Sequence, residues 1–335
     1  MADDGLSVAL RFALYLDLML VFGVALFGLQ ALRPEDRAAA IARRYVRVIV
    51  VSVAAGIVLS LWSVLVMAKA MTGAAEYAEL TRHVFGMILT ATAFGLAWTV
   101  RMAALAACLS AVAVLRRRPT ARFAVLAALG ATALATLTWS GHGAMDEGAR
   151  GVLHAASDIA HLLAAGAWVG ALAAFVLLSS ARQMSAPGAV AMLSRASNGF
   201  AGLGTVIVAT LAVTGVANYL FIVGPTVDGL ITTAYGGLLL AKLALVALML
   251  GLAAANRFRL SPRLAAAVRS ADEAGAVRVL RASLVTEACL GVLILGLVAW
   301  LGGFPRLGRD AVAHGERGYV GYVQFPERGT LKGGR

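Results

Sequence analysis

Charge is scarce in this sequence. Asp, Glu, Lys and Arg make up 14% of its 335 residues, against about a quarter in an ordinary soluble domain. A chain so poor in charge is neither disordered nor a soluble enzyme of normal composition. Cysteine is nearly absent as well. Cys108 and Cys289 both lie in apolar stretches without a CxxC partner, which excludes a disulfide scaffold and says nothing of redox compartment. Aromatic residues contribute only 7%, so the 61% hydrophobic content rests on Ala, Leu and Val, among 36 glycines. That is the mixture of close-packed membrane helices. No basic n-region or AxA-like site marks a cleavable leader behind the acidic MADDG start. No phosphate-binding glycine loop suggests a nucleotide-driven pump.

What is present is a series of long apolar runs. A bilayer core of about 30 Å takes roughly 20 apolar residues per helix. Such runs fall near 7–32, 46–70, 84–115, 121–139, 151–178, 197–223, 233–256 and 277–302. They predict an all-α integral membrane protein, a bundle of about eight transmembrane helices. The third run is too long for one crossing. Its first part, Val84–Ala93, reads as a re-entrant or surface piece leading into a span that starts near Gly95. No internal repeat or soluble domain stands out, so one membrane domain is expected over 1–305, with a polar tail over 306–335.

The net charge of +12 would suit a nucleic-acid partner in a soluble protein, but its placement argues for no nucleic acid. The loops after spans 1, 3, 5 and 7 hold 17 of the 29 basic residues, while the alternate loops hold Arg82, Arg150 and little else. By the positive-inside tendency the basic loops face the cytoplasm and both termini are periplasmic.

Ionisable residues inside spans are costly and mark sites or buried pairs. Here they are Arg11, Asp17, Arg101, His154, Asp158, His161, Lys242 and Glu287, with Asn218 and Asn256 as polar companions. His154, Asp158 and His161 lie within about 60° of one another around a single helix. His142 stands just before them in the outer loop, near Met145. Imidazole with carboxylate or thioether is a ligand set for a late first-row metal, and thioether favours copper(I). The candidate metal ligands are therefore His142, His154, Asp158 and His161, with Met145, His83 and Glu287 as secondary candidates. The alternative is plain: intramembrane histidines hydrogen-bond across helices, and Asp158 can pair with Arg11, Arg101 or Lys242. Asp17 and Lys242 fall at similar depth and read as a buried counter-ion pair, with Arg101 and Asn218 as further polar support. Glu287 sits in the inner half of its span, too deep to share a site with His161. Cys108 and Cys289 read as small apolar filler.

With these residues in view, the chain resembles the copper resistance protein D (CopD/PcoD) family of bacterial inner-membrane proteins. The resemblance is carried by Thr92-Ala-Phe-Gly95-Leu-Ala-Trp98-Thr-Val-Arg101, Trp139-Ser-Gly-His142 and His154-x-x-x-Asp158-x-x-His161-x-x-x-x-Gly166-x-Trp168-Val-Gly170. Thr214-Gly215-x-x-Asn218, Thr233-Ala-Tyr235-Gly236-x-Leu-Leu-x-x-Lys242, Asn256-Arg257, Glu287 and Pro305 continue it. It runs over most of 80–305; residues 1–80 match only in having two spans. It implies a copper ion as cargo, moved from periplasm to cytoplasm, a CopC-type periplasmic copper-binding protein as partner, and no enzyme activity. Two rival readings remain: a membrane haem-b redox protein with one outer haem between His83 or His142 and His154 or His161, and a scaffold that holds metal without transporting it.

Overall fold

The computed structural model describes residues 2–74, 76–140, 148–186, 188–222, 234–270 and 273–302. Among these residues there are helices and turns and no strand. The long helices are α1 (Ala2–Gln30), α2 (Ala40–Thr72), α4 (Ala93–Val114), α5 (Pro119–Ala135), α6 (Gly148–Leu178), α7 (Ala189–Ile222), α8 (Ala234–Ala255) and α10 (Glu273–Leu301). Two ten-residue helices, α3 (Arg82–Ala91) and α9 (Ser261–Ser270), stand between them. Among the described residues eight helices are long and apolar enough to cross a bilayer, in the order the apolar runs predict.

Several ends lie beyond the apolar runs. The second helix starts at Ala40 and the sixth span at Ala189, because segments rich in Ala and Arg are good helix formers in water too. At 34 residues, α7 is about 50 Å long, well beyond a hydrocarbon core of about 30 Å. The long third run breaks where expected. Thr92 Oγ1 donates to the Ile88 carbonyl (2.7 Å) and accepts from the Gly95 amide (3.0 Å), ending α3 and capping α4. A side chain at Gly95 would lie 2.7 Å from the Leu89 carbonyl oxygen, so only glycine permits the turn.

The centre of the bundle is α1, packed on α2, α5, α6 and α10. Its crossing with α6 is made by small residues. A Cβ at Gly23 would lie 2.7 Å from the Gly170 Cα, and one at Gly170 would lie 2.6 Å from the Val24 nitrogen. The two backbones touch, which is the contact that holds helices together where lipid removes the hydrophobic drive. With one face of α6 fixed on α1, the opposite packing partner of α6 is α7.

Cross-links between loops show how the helices alternate. Arg37 Nη1 donates to Thr120 Oγ1 (2.9 Å), Arg44 Nη1 to Ser180 Oγ (3.4 Å), and Arg195 pairs with Asp36 (3.4 Å). These contacts gather the basic loops after α1, α4 and α6 at one end of the bundle. At the other end Arg11 Nη1 reaches the Ala299 carbonyl at 3.5 Å, joining the start of α1 to the close of α10. The basic-loop end is called inner below and the opposite end outer.

Candidate metal site

The outer halves of α6 and α7 face each other as two matched ladders. Along α6 stand His154, Asp158 and His161; along antiparallel α7 stand Thr214, Asn218 and Phe221, at the same i, i+4, i+7 spacing. Each rung is a contact. The rings of His154 and Phe221 stack at 4.9 Å with 21° between their planes. Asn218 Nδ2 donates to Asp158 Oδ1 at 2.7 Å, while Asn218 Oδ1 accepts from Ser157 Oγ at 2.6 Å. That double engagement fixes the orientation of the amide. His161 Nδ1 meets Thr214 Oγ1 at 2.9 Å.

The last rung sets the tautomer of a histidine. Thr214 has one hydroxyl proton, and it points to the Thr210 carbonyl at 2.6 Å. Its oxygen therefore accepts from His161 Nδ1–H, which leaves the lone pair of the neutral ring on Nε2. A hydrogen bond at one ring nitrogen that frees the other is how proteins prepare a histidine for metal. Two turns outward, His154 Nε2 lies 3.7 Å from Asp158 Oδ2. His154 is 1% exposed and the Asp158 side chain 25%.

Nitrogen and carboxylate donors of the kind copper takes are thus present on this face. They do not converge into one cage. Among the described residues no three His, Cys, Asp or Glu side chains are close enough to hold one ion. The predicted triplet resolves into a His154–Asp158 pair and a separate His161, because Asp158 and His161 are each turned to a partner on α7. His142 and Met145 lie outside the described residues. His83 is exposed on α3, which packs on α4 and α2.

The expected Asp17–Lys242 pair is not formed. Asp17 is 8% exposed and turned to α2, where it meets Ser52 and where a side chain at Gly56 would lie 2.6 Å from its Oδ2. Lys242 lies on α8, in electrostatic reach of His161. The two helices bearing this pair are kept apart by α10, which packs on both. Arg101 is fully buried on α4, and its guanidinium nitrogens have no hydrogen-bond partner among the described residues. Tyr15, which the sequence did not single out, stands in electrostatic reach of both Arg101 and Asp158.

Glu287 lies in a second cluster, deeper in the bundle. Its Oε1 accepts from Trp168 Nε1 and its Oε2 from Asn256 Nδ2, both at 2.8 Å. Trp168 is seven residues beyond His161 on α6, about 10 Å along the axis, so the inward placement of Glu287 holds. Cys108 is buried in the main core and Cys289 is exposed. The role of Thr214 was missed by sequence reasoning, although its signal was present: the α7 spacing repeats that of α6.

Comparison with known proteins bears on the same helices. The model of the family described as "Copper resistance protein D-like, N-terminal domain" matches residues 1–152, and that of "Copper resistance protein D" matches 194–301. The likeness thus extends to the first two spans, which the motifs alone left unmatched. Copper resistance protein D of Pseudomonas syringae pv. tomato is 47% identical over 300 residues, 90% of this chain and 96% of that protein. Inner membrane protein YebZ of Escherichia coli (strain K12) is 30% identical over 260 residues, 77% of this chain and 85% of that protein. No solved structure matches.

Proposed function

The chain belongs to the copper resistance protein D family, and from that premise we propose that it binds copper on the outer α6–α7 face and passes it inward. The membrane is the bacterial inner membrane, the basic loops are cytoplasmic, and both termini are periplasmic. His161 offers Nε2, and His154 with Asp158 offers a second landing point one to two turns outward. The observation that carries the reading is the Thr214-locked tautomer of His161, which leaves the Nε2 lone pair for a metal. Inward movement of a cation needs no nucleotide. A membrane potential supplies about 2.3 kcal/mol per elementary charge per 100 mV. The chain acts as a carrier rather than an enzyme, and a CopC-type periplasmic protein delivers the ion to the outer end of α6 and α7.

Metal analysis of the purified protein, under oxidising and reducing conditions, tests this. Wild-type protein is expected to retain copper, and His161→Ala and Asp158→Asn to lose most of it. Full copper content in both variants would place the ion elsewhere. A Soret band in the visible spectrum would replace the copper reading with a haem protein.

A further inference from the structure

The inner cluster borders a cavity of about 290 Å³ between α6, α7, the α8–α9 turn and α10. Its wall is mainly apolar, including Leu172 and Phe175, and it carries the buried Glu287 carboxyl and Asn256 amide, with the Ser197 and Ser261 hydroxyls bonded to each other nearby. Glu287 is 2% exposed and no Lys, Arg or His side chain pairs with it among the described residues. Its two partners, Trp168 and Asn256, are neutral donors, one to each oxygen. Asn256 is 9% exposed; turning its Nδ2 to the carboxylate leaves Oδ1 buried without a hydrogen-bond partner among the described residues.

The backbone is specialised at the same point. Residues Asn256–Leu260 form a π-helical turn between α8 and α9. Such wide turns give up regular hydrogen bonding and gather at functional sites. Here the turn starts at the residue that engages Glu287.

We infer that this pocket is a second ligand site, taking a small oxygen-seeking cation, a proton or a sodium ion, at Glu287 and Asn256. A buried carboxylate held by neutral donors lacks the charge that would stabilise it in low dielectric. An unpartnered carbonyl beside it can complete the shell of a hard cation or accept from a protonated carboxyl. Oxygen-only donors do not suit copper(I). The charged groups of neighbouring elements are otherwise engaged or distant. Arg257, on the cavity wall, is turned to Thr205 and the Ala201 carbonyl of α7, Arg259 and Arg263 are exposed, and Asp17 faces Ser52 on α2. Arg11 is held at Ala299, Lys242 stands 14 residues outward of Asn256, and Asp158 and the two α6 histidines belong to the outer ladder. The inference requires only that copper is not held at Glu287.

Infrared difference spectra of the full chain in lipid nanodiscs test it, recorded across pH with sodium chloride or choline chloride. Wild type is expected to show a protonated-carboxyl band that disappears through the titration and is missing from Glu287→Gln, with copper content unchanged in the variant. Loss of the band on adding sodium, and not choline, assigns a sodium ion; titration indifferent to sodium assigns a proton. Trp168→Phe, which keeps the carboxylate and removes one donor, is expected to displace the titration, and it serves alone if Glu287→Gln does not fold. The inference is overturned if wild type and Glu287→Gln give the same carboxyl spectra, if Trp168→Phe leaves the titration in place, or if folded Glu287→Gln loses its copper.

Discussion

The outer and inner halves of α6 carry one stripe of residues to two different ends. His154, His161 and Trp168 recur every seven residues, so their side chains point in nearly the same direction. In the outer half the stripe meets α7, and hydroxyl and amide partners orient imidazole and carboxylate donors while Asp158 keeps a quarter of its side chain exposed. In the inner half it meets α10 and the α8–α9 turn, and the indole of Trp168 helps hold a carboxylate that is almost wholly enclosed. Imidazole donors beside a partly exposed carboxylate stand at one end and oxygen acceptors without charge compensation at the other. The contrast shows how one helix can serve two chemistries: its own residues differ little in direction, and the neighbouring helix decides what each can do.

The largest expected effect comes from breaking what the two halves share. Gly170→Leu would drive a side chain into the backbone of α1 at Gly23 and Val24, where no rotamer gives relief. Loss of folded protein from the membrane fraction is expected, and with it both halves at once. Full-yield protein with normal copper content would show that the α1–α6 crossing does not position the stripe. A smaller effect, confined to the outer half, follows from Thr214→Val. It removes the acceptor that fixes His161 and keeps the volume, so copper affinity should fall roughly 10- to 100-fold, the usual cost of losing such an orienting partner. Competition with a copper chelator measures it, and the carboxyl titration of Glu287 should not move. If the variant binds copper as wild type does, the tautomer argument fails.

The sequence carried those parts of the architecture that depend on one helix at a time. Apolar runs of bilayer length marked eight spans, and the break before Gly95 was readable because the third run is too long for one crossing; Thr92 as cap and Gly95 as close approach make that break. The shared face of His154, Asp158 and His161 was readable for the same reason. Pairing between helices was not. Asp17 and Lys242 sit at like depth, yet depth says nothing of which helix stands between, and here it is α10. The meeting of Asn256 with Glu287 depends on a π-helical turn, for which no residue pattern gives notice. The ladder on α7 falls between these cases, since its spacing was visible but its role appears only when it is laid against α6.

In the proposed function copper is held by imidazole on the outer α6–α7 face and not at the inner carboxylate. X-ray absorption at the copper edge, on the loaded full-length protein, tests it most directly. The expected result is a nitrogen shell with imidazole outer scattering in wild type, kept in Glu287→Gln and lost or sharply reduced in His161→Ala. A shell of sulfur alone, or imidazole scattering unchanged in His161→Ala, would contradict it.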